Sequence, residues 1–151
     1  MTTTTDSFEY LIRTQFAFST DASALSCILD GIAERKINVN AFQQTKANNL
    51  YHVRLVIGSS ESENTRDLYG VRKVLSSLKQ KFTEKQVIQI IQLRAGRPGQ
   101  INELFAALWC HVTVNSIYIG EKTNVYVDTS DIEQTISILS QEELELCEKD
   151  C

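Results

Sequence analysis

The sequence predicts an α+β protein built from two tandem βαββαβ repeats, with antiparallel sheets and helices packed on one face of each. Two kinds of observation carry this. One is internal repetition: Ile37-Asn38-Val39-Asn40 recurs as Val112-Thr113-Val114-Asn115, and Asn49-Leu50-Tyr51 as Asn124-Val125-Tyr126, both offset by 75 positions. Upstream, the apolar stripe Leu25, Ile28, Leu29, Ile32 recurs as Ile101, Leu104, Phe105, Leu108 at an offset of 76. Three matches in one order point to duplication, and a one-residue difference is readily absorbed in a loop. The other is the order of hydrophobic periods, which alternates between two and 3.6 in the same way along both halves.

Taken in order, residues 1–7 are expected to be a disordered tail, 8–90 the first repeat, 86–147 the second and 148–151 a tail. Glu9 to Phe18 alternates, with Tyr10, Ile12, Thr14, Phe16 and Phe18 on the face expected to be buried. Thr20 or Asp21 then caps a helix that carries the first stripe to about Lys36. Ile37 to Thr45 and Leu50 to Ile57 read as a hairpin around Lys46-Ala47-Asn48-Asn49, where asparagine tolerates positive φ. Thr65 to Phe82 places Leu68, Val71, Val74, Leu75 and Leu78 at helical spacing. Val87 to Leu93 is apolar on both faces apart from Gln89 and Gln92, as an interior strand would be.

The second half repeats this order. It has a helix over Pro98 to Cys110, strands over Val112 to Ile119 and Asn124 to Asp128, and a helix from Asp131, with Ser130 and Glu133 as a capping box. Two assignments stay open in the sequence. The strand within 86–93 serves repeat one, repeat two or both, and 141–147 continues the last helix or forms a final strand. The whole is a ferredoxin-like plan, whose open edges and bare sheet face favour pairing between repeats or subunits.

Composition narrows the function. Of 151 residues, 42% are hydrophobic and 23% charged, as in a folded globular chain. Lys and Arg total 15 against 19 Asp and Glu, so a polyphosphate finds no net attraction and nucleic acid is not an expected partner. Tyr51 and Arg54 do not amount to the aromatic and basic strand signature of RNA binding. Met1 to Asp6 has no basic segment leading into an apolar one, and no apolar run is long enough to span a bilayer. The expectation is a cytoplasmic protein without a membrane partner. Cys27, Cys110, Cys147 and Cys151 show no repeated close pairing and are expected to be reduced. His52 and His111 have no second ligand at metal spacing along the chain, so no metal or other cofactor is expected.

The segment Gln92-Leu93-Arg94-Ala95-Gly96-Arg97-Pro98-Gly99-Gln100-Ile101-Asn102-Glu103-Leu104 resembles the strand, Pro-Gly turn and helix of the ACT domain family. With the strand, hairpin and helix that follow, the resemblance covers nearly the whole chain twice. It implies a regulatory protein that binds a small effector, an amino acid, at domain or subunit interfaces and assembles side by side, as a homodimer. By position it implies ligand contacts from Gly96, Arg97, Pro98, Gly99, Gln100 and Asn115 in repeat two, and from Thr20, Asp21, Ser23, Asn38 and Asn40 in repeat one. Repeat one lacks Pro-Gly, and Gly96 stands where the family often has an acidic or amide residue, so repeat two carries the stronger expectation.

Physical chemistry supports the same loop. A loop that opens a helix presents unpaired N–H groups and the positive end of the helix dipole to a carboxylate. The two glycines permit close approach, and Arg97 offers a clamp. Each residue also has a structural reading: a tight turn for Gly96 to Gly99, a solvent-facing strand for the asparagines, a helix cap for Asp21. The acids, mainly on helix faces and in the tail, do not converge, and no phosphate loop or nucleophile elbow is present. The expected function is therefore non-enzymatic. A ligand-free interaction module of the same fold, and more remotely an enzyme without a motif, are the alternatives.

Overall fold

The computed structural model describes residues 3–93 and 96–151. Met1 and Thr2 of the expected tail, and Arg94 and Ala95 of the loop motif, lie outside the described residues. The strands are β1 (Thr3–Asp6), β2 (Glu9–Thr20), β3 (Val39–Ala47), β4 (Leu50–Ile57), β5 (Thr83–Ile91), β6 (Val114–Ile119), β7 (Val125–Thr129) and β8 (Glu143–Leu146). The helices are α1 (Ala22–Glu34), α2 (Thr65–Ser77), α3 (Gln100–Leu108) and α4 (Ile132–Leu139). Six strands form one antiparallel sheet in the order β3-β4-β2-β5-β7-β6, and β1 pairs with β8 in a separate two-stranded sheet. The fold is α+β.

Strand β5 lies between β2 and β7. It pairs with β2 from Thr83 to Ile91, and with β7 over Ile88 to Ile90. The β3–β4 hairpin turns on Asn48 and Asn49, at φ 54° and 65°, the backbone region for which the two asparagines are suited. Alternation sends Phe16, Phe18, Val53, Leu55 and Ile57 into one core beneath α1 and α2. Ile88, Ile90, Val125 and Val127 enter a second core, with Leu104 and Leu108 of α3 and Leu139 of α4. The opposite face has its own cluster of strand residues only: Ala41, Val56, Val87, Tyr118 and Tyr126.

That opposite face is not bare, because the sheet rolls until its edge strands meet. Ala41 of β3 forms an isolated antiparallel bridge with Gly120, just after β6, and Ser116 donates to Gln43 across the same seam at 2.7 Å. Gly120 is required there: a Cβ would sit 2.6 Å from the Asn40 carbonyl oxygen and 2.8 Å from the Tyr126 ring. Rolling buries the second face of β2. Arg13 and Gln15 are buried, whereas Ile12, expected inside, is exposed.

Several local expectations change. Thr3–Asp6 is an ordered strand on β8 rather than part of a disordered tail. Helix α2 ends at Ser77, where Lys79 takes φ 56°, short of Phe82. Pro98 lies in the turn before α3, and Gly99 is the N-cap at φ 91°. Asp131, not Ser130, caps α4 by accepting from Gln134 N at 3.0 Å, while Ser130 Oγ accepts from Thr113 N. Cys110 and Cys147 form a disulfide, which overturns the expectation of four reduced cysteines; Cys27 and Cys151 are free. A separation of 37 residues gives no local signal of that pair, which only the packing of α3 against β8 brings together. Among the described residues no helix is long and apolar enough to cross a membrane.

Candidate functional site

The loop between β5 and α3 is shaped by residues that accept positive φ: Gln92 at 61°, Gly96 at 78° and Gly99 at 91°. Gly99 stands at the N-cap of α3 and, having no side chain, makes no side-chain cap hydrogen bond of its own. A Cβ built at Gly96 or Gly99 meets nothing within 4 Å, so both glycines face open space. Beside them is a groove of about 400 Å³. Its apolar walls are Leu93, Ile101, Ile119 and Val125, and its polar rim is Arg97, Gln100, Asn102 and Thr123. Arg97 donates to Glu103 Oε1 at 3.2 Å across a half-exposed ion pair, and Gln100 Nε2 donates to the Arg97 carbonyl. A surface pair of this kind contributes about 0–1 kcal/mol, so a carboxylate ligand can compete for the guanidinium. Ile119, Thr123 and Val125 were not foreseen, because the pairing of β7 beside β5, rather than sequence proximity, brings the β6–β7 connection to this loop.

The remaining site residues are dispersed. Thr20 is buried at the end of β2. Asp21 caps α1 by accepting from Ala24 N at 2.8 Å, and Ser23 is exposed in the first turn. Asn38 is exposed and ties the seam, donating to the Gly58 carbonyl at 2.8 Å and to Glu121 Oε1 at 2.5 Å. Asn40 is buried, bonds to the Tyr126 hydroxyl through Nδ2 and leaves Oδ1 without a partner. Asn115 is exposed on β6 at a register shift. The structure therefore gathers Gly96, Arg97, Gly99 and Gln100 around one groove, with exposed Pro98 in the same turn, and leaves Thr20, Asp21, Ser23, Asn38, Asn40 and Asn115 elsewhere.

The rolled face carries a polar cluster that the sequence did not signal. Arg13, 2% exposed, donates to Glu63 at 3.0 Å, Gln89 at 2.7 Å and the carbonyls of Ile57 and Ser59 at 2.7 and 2.8 Å. It thereby fastens the β4–α2 loop to the sheet. Asp128 accepts from Gln15 at 2.9 Å and Arg54 at 3.2 Å, and pairs with Lys85 at 2.6 Å. Burial pushes its carboxyl pKa up, but Lys85, Gln15 and Arg54 together outweigh burial and hold it below the ordinary value. Burial, then the Asp128 charge, drives the Tyr118 phenol well above its ordinary value, in keeping with its donating to Gln15 Oε1 at 2.8 Å. Every charged group here is matched to a partner, which is the arrangement of a scaffold holding the sheet closed.

No family model and no curated protein matches the chain. Solved structures do. Protein BT0572 from Bacteroides thetaiotaomicron is similar with a TM-score of 0.70 at 16% identity, covering 90% of this chain and 94% of that one. The regulatory subunit of aspartate kinase from Thermus thermophilus, in its ligand-free form, gives 0.58 at 13% identity, covering 91% and 99%. Aspartate kinase from Synechocystis gives 0.59 at 18% identity, covering 89% of this chain but 26% of that one. At these identities the likeness shows the fold, which is ACT-like.

Proposed function

We propose that the chain is a non-enzymatic regulator made of two ACT-type repeats that share β5, and that it binds an amino acid in the groove at Gly96 to Gln100, next to a subunit interface. The groove carries this reading. The positive end of the α3 dipole and Arg97 suit a carboxylate, Asn102 and Thr123 offer polar groups, and Leu93, Ile101, Ile119 and Val125 suit a side chain. The fold likeness to an aspartate kinase regulatory subunit agrees with it. The first repeat is read as structural, because Thr20 is buried and Asp21 is engaged as a cap.

A thermal-shift screen against the twenty amino acids tests the proposal. A ligand at one hundred times its Kd stabilises by about 2.7 kcal/mol, which corresponds to roughly 5–11 °C for a chain of this size. Arg97→Ala should reduce that shift without altering the unliganded melting point. No reproducible stabilisation by any amino acid would refute ligand binding.

One observation favours an interaction module instead. The second-repeat stripe, unlike the first, is half exposed: Ile101 at 46%, Phe105 at 44% and, one turn on, Trp109 at 40% form a row along α3. Loss of self-association in Phe105→Glu, with no amino-acid response in wild type, would select that reading.

A further inference from the structure

The chain has four cysteines and two histidines. Three of these six residues, Cys110, His111 and Cys147, converge at the C-terminal end of α3. One ligand atom from each lies within 4.8 Å of the others. Along the sequence Cys147 had no partner pair; the fold supplies one by laying the end of β8 against α3. The backbone there is fixed. Cys147 N donates to the Ala106 carbonyl at 2.7 Å, His111 N donates to the Leu108 carbonyl at 2.9 Å, and Cys110 N donates to Cys147 Sγ at 3.3 Å.

We infer that Cys110, His111 and Cys147 form a redox-gated zinc site: a disulfide when oxidised and a Zn2+ centre when reduced. Two thiolates and an imidazole are donors of the kind zinc takes. Tetrahedral zinc with bonds of about 2.3 Å to sulfur and 2.0–2.1 Å to nitrogen holds its donors roughly 3.6–3.8 Å apart, so the three atoms need only small side-chain rotations once the disulfide opens. Cys110 and His111 are exposed, so the fourth position is left to water. Cys151, a free and exposed cysteine, lies outside this group of donors. Opening requires a thiol reductant: two small-molecule thiols give up two electrons and two protons, forming one small-molecule disulfide and two protein thiols. Zinc binding then releases the two thiol protons.

The test uses the full chain, reduced with a phosphine that is afterwards removed under nitrogen, and titrated with Co2+ alone. One equivalent of Co2+ should give the visible bands of a tetrahedral ion and a thiolate charge-transfer band, and Zn2+ should bleach both. Air-oxidised protein should give neither. Cys110→Ser and His111→Ala, both at exposed positions, should weaken binding more than about tenfold, with a far-ultraviolet spectrum like that of wild type. Cys151→Ser should bind as wild type does. The inference is overturned if reduced protein shows no tetrahedral signature at one equivalent, if Cys110→Ser or His111→Ala binds unchanged, or if Cys151→Ser abolishes binding.

Discussion

Replacing Arg13 by methionine removes the guanidinium while keeping an unbranched side chain of similar reach. Two buried acceptors, the Ile57 carbonyl and Gln89 Oε1, and two part-buried ones, the Ser59 and Ser62 carbonyls, lose this donor, and Glu63 keeps Thr14, which donates from N at 2.9 Å and Oγ1 at 2.5 Å. Breaking a buried charge pair from one side costs about 3–5 kcal/mol, most of it the desolvation of what is left behind. At about 2–4 °C per kcal/mol for a chain of this size, the melting temperature should fall by roughly 6–20 °C. Urea titration should show a lower midpoint with an unchanged slope, because the folded state remains compact. The double variant Arg13→Met/Glu63→Gln should recover part of the loss, since it removes the uncompensated carboxylate. If Arg13→Met melts within about 2 °C of wild type, or if the double variant is less stable than the two single losses added together, Arg13 is not the fastening described.

Further expectations follow from the seam, the cluster, the loop and the helix stripe. Gly120→Ala forces a Cβ against the Asn40 carbonyl and the Tyr126 ring; a cost of about 1–3 kcal/mol is expected, with faster hydrogen exchange at Ala41 and Gly120 where the edges meet. Asp128→Asn removes a carboxyl whose pKa burial raises but Lys85, Gln15 and Arg54 hold below the ordinary carboxylate value. Its stabilisation is present above that value and lost as pH falls through the lower folded pKa, so the variant should be less stable near neutrality and lose less on acidification, as read from urea midpoints across the range. Gly99→Ala meets no neighbour but must hold φ 91°, so about 1–2 kcal/mol of stability should be lost through strain alone in a thermal melt. Phe105→Glu should leave stability within about 0.5 kcal/mol, because the ring is exposed, while lowering the sedimentation coefficient of any dimer built on α3.

The element order was legible because strand and helix periods are local properties. Leu50–Ile57 is found with both its limits, and the two asparagines of its turn take the conformations their side chains tolerate. The rolling of the sheet was not legible, because it depends on contacts between residues far apart, such as Ala41 with Gly120. Its consequence is that Arg13 and Gln15, polar positions on an alternating strand, are inside, where the alternation alone places them in solvent. The matched stripes on α1 and α3 look equivalent in sequence, yet Leu25 is buried and Ile101 exposed, since burial is set by what each helix packs against and not by its own pattern. In the loop, the glycines and Arg97 were readable from the motif. The walls of the groove were not, because Ile119, Thr123 and Val125 reach it through the fold.

The most direct test of amino-acid binding at this groove is a titration of the 15N-labelled protein with each amino acid, following amide resonances. Saturable shifts centred on Gly96, Gly99, Gln100 and Thr123, with Thr20, Asp21 and Asn115 unmoved, are the predicted result. Saturable shifts centred on residues away from this loop, or none with any amino acid, would contradict it.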